Sequence, residues 1–171
     1  VIELNTAMVE LKKVTDGTEN QFNTFLKNAK SNAVELGSTV TDLVNATSAF
    51  SRLGYSLDES EELGRVATIY ANVGDDIDNI DQATTSLIST MKGFGLEAGD
   101  AINIVDKFNE VGNKFAISSG GIGDALQRSA ASFAAANNTI DESIALVVAA
   151  NNVIQDPDTV GTMWKTVTMR I

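Results

Sequence analysis

Apolar residues recur at helical spacing along most of the chain, and the pattern comes back. Ile80, Ala83, Leu87, Met91 and Phe94 fall on one helical face, and Ile122, Ala125, Ser129 and Phe133 follow nearly the same track further on. A third copy is legible in Val40, Leu43, Val44, Thr47, Phe50 and Leu53, and a weaker fourth in Val160, Met163, Trp164, Val167 and Ile171. The repeating unit of about 40 residues has the length of one helical hairpin. One hairpin cannot bury both of its faces, so the pattern predicts hairpins stacked as a solenoid-like array or bundle.

The junctions repeat as well. Ser56-Leu57-Asp58-Glu59 and Thr139-Ile140-Asp141-Glu142 both have capping-box spacing, and Gly95-Leu96-Glu97 stands at the equivalent place in the middle unit. The helices opened there carry Leu63, Val66, Ala67, Tyr70 and Val73, then Ala101, Ile102, Val105 and Phe108, then Ile144, Val147 and Val148. Gly54, Gly74 and Gly95 close helices, and Asp156-Pro157 opens the last one as a cap followed by a first-turn proline. Before the repeats, Leu4, Met8, Leu11 and Val14 mark one helix, and Phe22, Phe25, Leu26, Ala29 and Ala33 mark another that Gly37 ends. Residues 1–36 are thus expected as a lead-in helical pair and 37–171 as the hairpin-repeat domain. The fold class is all-α with no sheet; Lys114 to Ser118 reads as a loop.

Composition narrows the function. The 171 residues carry a net charge of −11 without a basic run, which disfavours nucleic-acid backbone as a partner. Cysteine and histidine are both missing, so there is no disulfide, no thiolate or imidazole metal ligand, and no imidazole base. The most apolar window, Ile144 to Ala150, is far below the ~18 residues of a membrane span. A start at Val1 and an uncapped helical pattern at Arg170-Ile171 suggest a piece of a longer protein.

Several stretches invite chemistry. Asp75, Asp76, Asp78 and Asp81 are the densest acidic cluster, but Ile80 breaks the ligand alternation and the glycine of a calcium loop is missing. A helix amino terminus accounts for them. The carboxylate pairs Asp58–Glu59 and Asp141–Glu142 resemble a hydrolase pair only until their matching cap positions are noticed. Glu110 stands without a companion. Ser118-Ser119-Gly120-Gly121-Ile122-Gly123 lacks the Lys-Ser/Thr ending of a phosphate loop, and no strand leads into it, so it is expected to be a flexible inter-repeat loop with a helix start. Trp164 belongs to the core face of the last helix. No catalytic, cofactor-binding or metal site emerges.

The wording of the repeats is more specific. Asp106-Lys107-Phe108-Asn109-Glu110-Val111-Gly112-Asn113, the helix from Gly123 to Ser132, and Gln155-Asp156-Pro157-Asp158-Thr159-Val160-Gly161 leading to Met169-Arg170-Ile171 resemble the tail tape measure proteins of long-tailed phages and Gram-positive prophages. The resemblance covers roughly Ala33 to Ile171. It implies a longer, mostly helical parent in the virion tail, or in host cytoplasm during assembly, that templates tail length and leaves the tail at genome ejection. It also implies contacts with itself or with other tail proteins and no enzymatic role for this segment. The alternatives are a peptidoglycan-hydrolase module of a tail protein and a generic helical-solenoid adaptor.

Overall fold

The computed structural model describes residues 2–170, and its regular structure is helical throughout, with no strand among the described residues. The elements are α1 (Ile2–Val14), α2 (Glu19–Leu36), α3 (Val40–Ser51), α4 (Leu57–Val73), α5 (Ile80–Phe94), α6 (Ala101–Gly112), α7 (Ser119–Ala135), α8 (Ile140–Ile154) and α9 (Pro157–Thr168). A single 3-10 turn, Ala98–Asp100, leads into α6. The all-α expectation holds, and local chemistry sets the helix ends where the sequence placed them. The backbone N–H of Thr139 donates to Glu142 Oε2 at 2.8 Å while Glu142 N–H donates to Thr139 Oγ1 at 3.2 Å. Ser56 and Glu59 make the same reciprocal pair at 2.9 and 3.3 Å. Gly37 and Gly95 end α2 and α5 in the left-handed region, at φ 64° and 66°, which glycine enters without a Cβ clash.

The chain forms two compact units, Val1–Asn72 and Val73–Ile171. In the first, α1 and α2 pack on α3. Their shared core contains Leu11, Phe22, Phe25, Ala29, Val44 and Leu57. Asn72 at the end of α4 donates from Nδ2 to the Leu36 carbonyl at 2.5 Å, tying the ends of α2 and α4 together. Gly64 lets α4 approach α3: a Cβ there would stand 2.8 Å from Thr47 Oγ1. Leu53, expected on the core face of α3, lies in the turn beyond its end and is exposed, as is Val73 at the end of α4.

The second unit is built around α7, which packs on α5, α6, α8 and α9. Successive contacts show that α5, α7 and α9 run parallel. Gln82 meets Asp124 while Gly93 meets Ala130; Pro157 meets Gly121 while Gly161 meets Ala125. Hairpin connectivity demands this, because α6 and α8 return the chain between them. Predicted face residues Ala83, Leu87, Met91, Ile122, Ala125, Ser129, Phe133 and Val160 are all buried. Trp164 is half-buried, packs on Phe133 with ring centroids 5.7 Å apart, and donates from Nε1 to the Leu146 carbonyl at 3.1 Å. Ile171, the last residue assigned to that face, lies outside the described residues.

Candidate functional site

The carboxylates singled out in the sequence are engaged in starting helices. Glu59 is held below the usual carboxyl range by the Ser56 hydroxyl and then by the Ser56 amide. Glu142 does the same structural work at Thr139. In the run Asp75 to Asp81, the capping oxygen comes from Asn79, whose Oδ1 accepts from Gln82 N–H at 2.9 Å, with Asp81 in the first turn. Glu110 is exposed and lies 2.5 Å from Lys114, whose hydrogen bond and charge lower its pKa. That shift keeps the group ionised and is the wrong direction for a general acid at neutral pH.

The glycine-rich stretch corrects an expectation. Ser118 is an N-cap, accepting from Gly121 N–H at 3.0 Å, but Ser119 onward is helix, and Gly120, Gly121 and Gly123 are buried within α7. Their lack of side chains permits close approach. A Cβ on Gly120 would overlap the Asp76 carbonyl, and one on Gly121 would stand 2.9 Å from Pro157 Cγ. The Gly120 N–H donates to the Asp75 carbonyl at 2.9 Å, and Asp75 N–H donates to Ser119 Oγ at 2.9 Å. These bonds staple the turn before α5 to the start of α7. The stretch is packing surface.

A groove of about 650 Å³ runs between α6 and α8. Val111, Phe115, Ile144, Ala145, Val148 and Ala149 make it largely apolar. The Lys107–Asp141 ion pair spans it, and Glu110 and Lys114 stand along the α6 side. Phe115 is 52% exposed at its margin. An apolar channel with charged edges and no activated nucleophile or acid is suited to receiving a helix from another protein.

Comparison with known families agrees with a structural part. A family model described as phage-related minor tail protein matches residues 28–171. The chain belongs to that family. The match begins inside α2 and runs through every repeat. No solved structure matches the chain. As a phage-related minor tail protein it has a structural role in the phage tail, and its partners are other tail proteins. No helix among the described residues is long and apolar enough to cross a membrane.

Two carboxyls of this minor tail protein escaped the sequence reading. Burial raises the pKa of Asp124, against a hydrogen bond from Gln82, and the charges of Asp158 and Asp78 raise it further while Arg128 lowers it. Burial likewise raises Glu61, with Asn28 opposing as a donor and Asp58 and Glu62 adding their charge. Each lies one position from a buried residue, Ala125 beside Asp124 and Ser60 beside Glu61. The groove had no such signal, because it depends on how far apart α6 and α8 stand.

Proposed function

We propose that this chain is a helical segment of a tail tape measure protein, acting in tail assembly, tail-length determination and genome ejection. The observation that carries this is the family match from residue 28 through the last repeat. The order of repeat phrases supports the finer assignment. In this reading residues 1–36 lead into a hairpin-repeat domain over 37–171, located in the virion tail and, during assembly, in the host cytoplasm.

The segment is a folded station on the parent rather than its ruler. Even as one continuous helix, 171 residues would reach only about 250 Å at ~1.5 Å per residue, and folding into hairpins shortens that several-fold. Its work is to offer surfaces, with the α6–α8 groove and the faces of the repeats contacting tail proteins or further copies.

The test is an in-frame deletion of residues 38–171 in the phage that encodes the parent, followed by electron microscopy of tails and a turbidity assay on peptidoglycan with the purified chain. Loss or disorder of tails, without lysis, is expected. Normal infectious tails would refute a role in assembly, and lysis abolished by Glu110→Gln would replace it with the hydrolase.

A further inference from the structure

The register of the groove between α6 and α8 makes it complementary to itself. Lys107 meets Asp141, and further along Asn151 Nδ2 donates to the Ala116 carbonyl at 3.0 Å. The two helices therefore run parallel, with residues 34–35 positions apart at one level. Ile144 and Val148 form the floor, at 4% and 8% exposed. Ala145 and Ala149 make an exposed rim on the α8 side, with Asp141 and Asn152 at its two ends.

Charge selects the occupant. The groove is edged by two cations, Lys107 and Lys114, and two anions, Glu110 and Asp141, so it is neutral on a chain of net charge −11. Two copies of so acidic a chain repel over most of their surface, and least at a neutral apolar face. A two-fold axis that crosses α8 at right angles, level with Val147, lays α8 antiparallel on its counterpart. Ala145 then stands against the partner's Ala149, with only methyl groups between the backbones. Asp141 stands against the partner's Asn152, whose side-chain amide is a donor for it. On α6 the same axis falls 35 positions earlier, level with Gly112, and sets Glu110 against the partner's Lys114. Each contact occurs twice. An axis along the groove would instead make all four helices parallel, with like-signed ends together.

Two concave faces leave a void unless side chains enter it. The crosswise axis carries each Phe115 ring to the far end of the other groove, level with the partner's Ile144. There the ring, 52% exposed in the single chain, covers apolar floor.

We propose that this groove is a homodimer face, across which two copies of the chain pair antiparallel, α8 on α8, with Glu110–Lys114 ion pairs made between copies. The inference rests on the reading of the chain as a structural part that works through its surfaces, and it names the partner of one surface. The contact is small. Asp141 to Asn152 spans ~16 Å at ~1.5 Å per residue, and two helices side by side about 20 Å. That is well below the ~800 Å² per partner of a standard interface, so a dissociation constant of about 0.1–1 mM is expected.

The test follows the rotational correlation time and amide shifts of the ¹⁵N-labelled 171-residue chain from about 20 μM to 2 mM, a range that brackets this constant. The correlation time should rise toward that of a dimer, with shifts confined to residues 107–115 and 141–152. Glu110→Lys and Lys114→Glu, each alone, put like charges opposite one another at both copies of the contact and should weaken pairing roughly tenfold. Mixing the two single variants should restore it, because each copy then presents the sign the other lacks. A local disturbance of α6 would not be cured by mixing. A chain that tumbles as a monomer at the highest concentration overturns the dimer, including the case in which the groove fills only when another tail protein is added. So does pairing indifferent to both charge changes, or a mixture no tighter than either variant alone. None of these results bears on the tail-assembly reading, which falls only if the deletion of residues 38–171 leaves normal infectious tails.

Discussion

Replacing Gly161 by alanine pits two effects of known size against each other. Alanine is the better helix former in the middle of α9, by about 0.8–1.0 kcal/mol. The new Cβ, however, would stand 2.5 Å from the Ala125 carbonyl oxygen, 2.9 Å from its Cα and 3.1 Å from its carbonyl carbon. All three are backbone atoms of α7, so no rotamer change relieves the overlap. Restoring even a tight contact of 3.0–3.4 Å requires α9 to withdraw by roughly 0.5–0.9 Å, the difference from 2.5 Å. A gap of that size forfeits a quarter to a half of each opposed contact, and with on the order of twenty atom pairs at ~0.15 kcal/mol the loss is about 1 kcal/mol. The Ala125 carbonyl also accepts from Ser129 Oγ at 2.8 Å, and that bond is pushed aside. Overpacking of this kind costs about 1–3 kcal/mol, so after the propensity gain the substitution is expected to destabilise by about 0–2 kcal/mol. Urea unfolding followed by the fluorescence of Trp164, the single tryptophan, reads the α7–α9 contact directly. Gly99→Ala is the control, since a Cβ there meets nothing within 4 Å, and it should be neutral or slightly stabilising. A Gly161→Ala variant stabilised by the full propensity gain of about 0.8–1.0 kcal/mol would refute the close-packed parallel layer.

Leu87→Ala removes a fully buried side chain and should cost about 2–5 kcal/mol by the same urea assay. Thr139→Ala removes one half of a reciprocal cap and should cost about 1 kcal/mol; no change would mean that the α8 start is held by something else. Asp124→Asn tests the raised pKa. A carboxyl that binds its proton more tightly when folded opposes folding once ionised, so the native chain loses stability as pH rises from the ordinary value of 3.8 through the folded pKa. The variant should therefore melt higher than the native chain at pH 7, and the gap should close toward pH 3. Glu59 and Asp156, whose pKa values are lowered by cap hydrogen bonds, pull absolute stability the other way, since their contribution is lost on acidification. The difference between the two chains isolates Asp124, and a gap that widens on acidification would reverse the assignment.

Helix positions were legible because each level of the sequence agreed: the periodicity of Ala83, Leu87 and Met91, the cap at Thr139, the stop at Gly95. What escaped was the closeness of the helices. Tight parallel packing buries small and hydroxylated residues, which by composition look like surface or loop. Thr84 and Ser86 are only 4% and 2% exposed, and Ser118 to Gly123, which reads as a flexible connection, is buried helix from Ser119 on. The available clue was the spacing of Gly121, Ala125 and Ser129, one small residue per turn along α7, with Gly121 meeting Pro157 and Ala125 meeting Gly161 on α9.

The parallel run of α5, α7 and α9 has an electrical consequence. Each helix start carries the equivalent of about half a positive charge, and parallel packing sets three such ends side by side, where an antiparallel bundle would alternate them. Asp81 and Asp158 in the first turns of α5 and α9 put negative charge along that edge. Part of the acidity of this chain is thus a built-in counterion layer. Every hairpin added to such a layer brings one more like-signed end to the same edge.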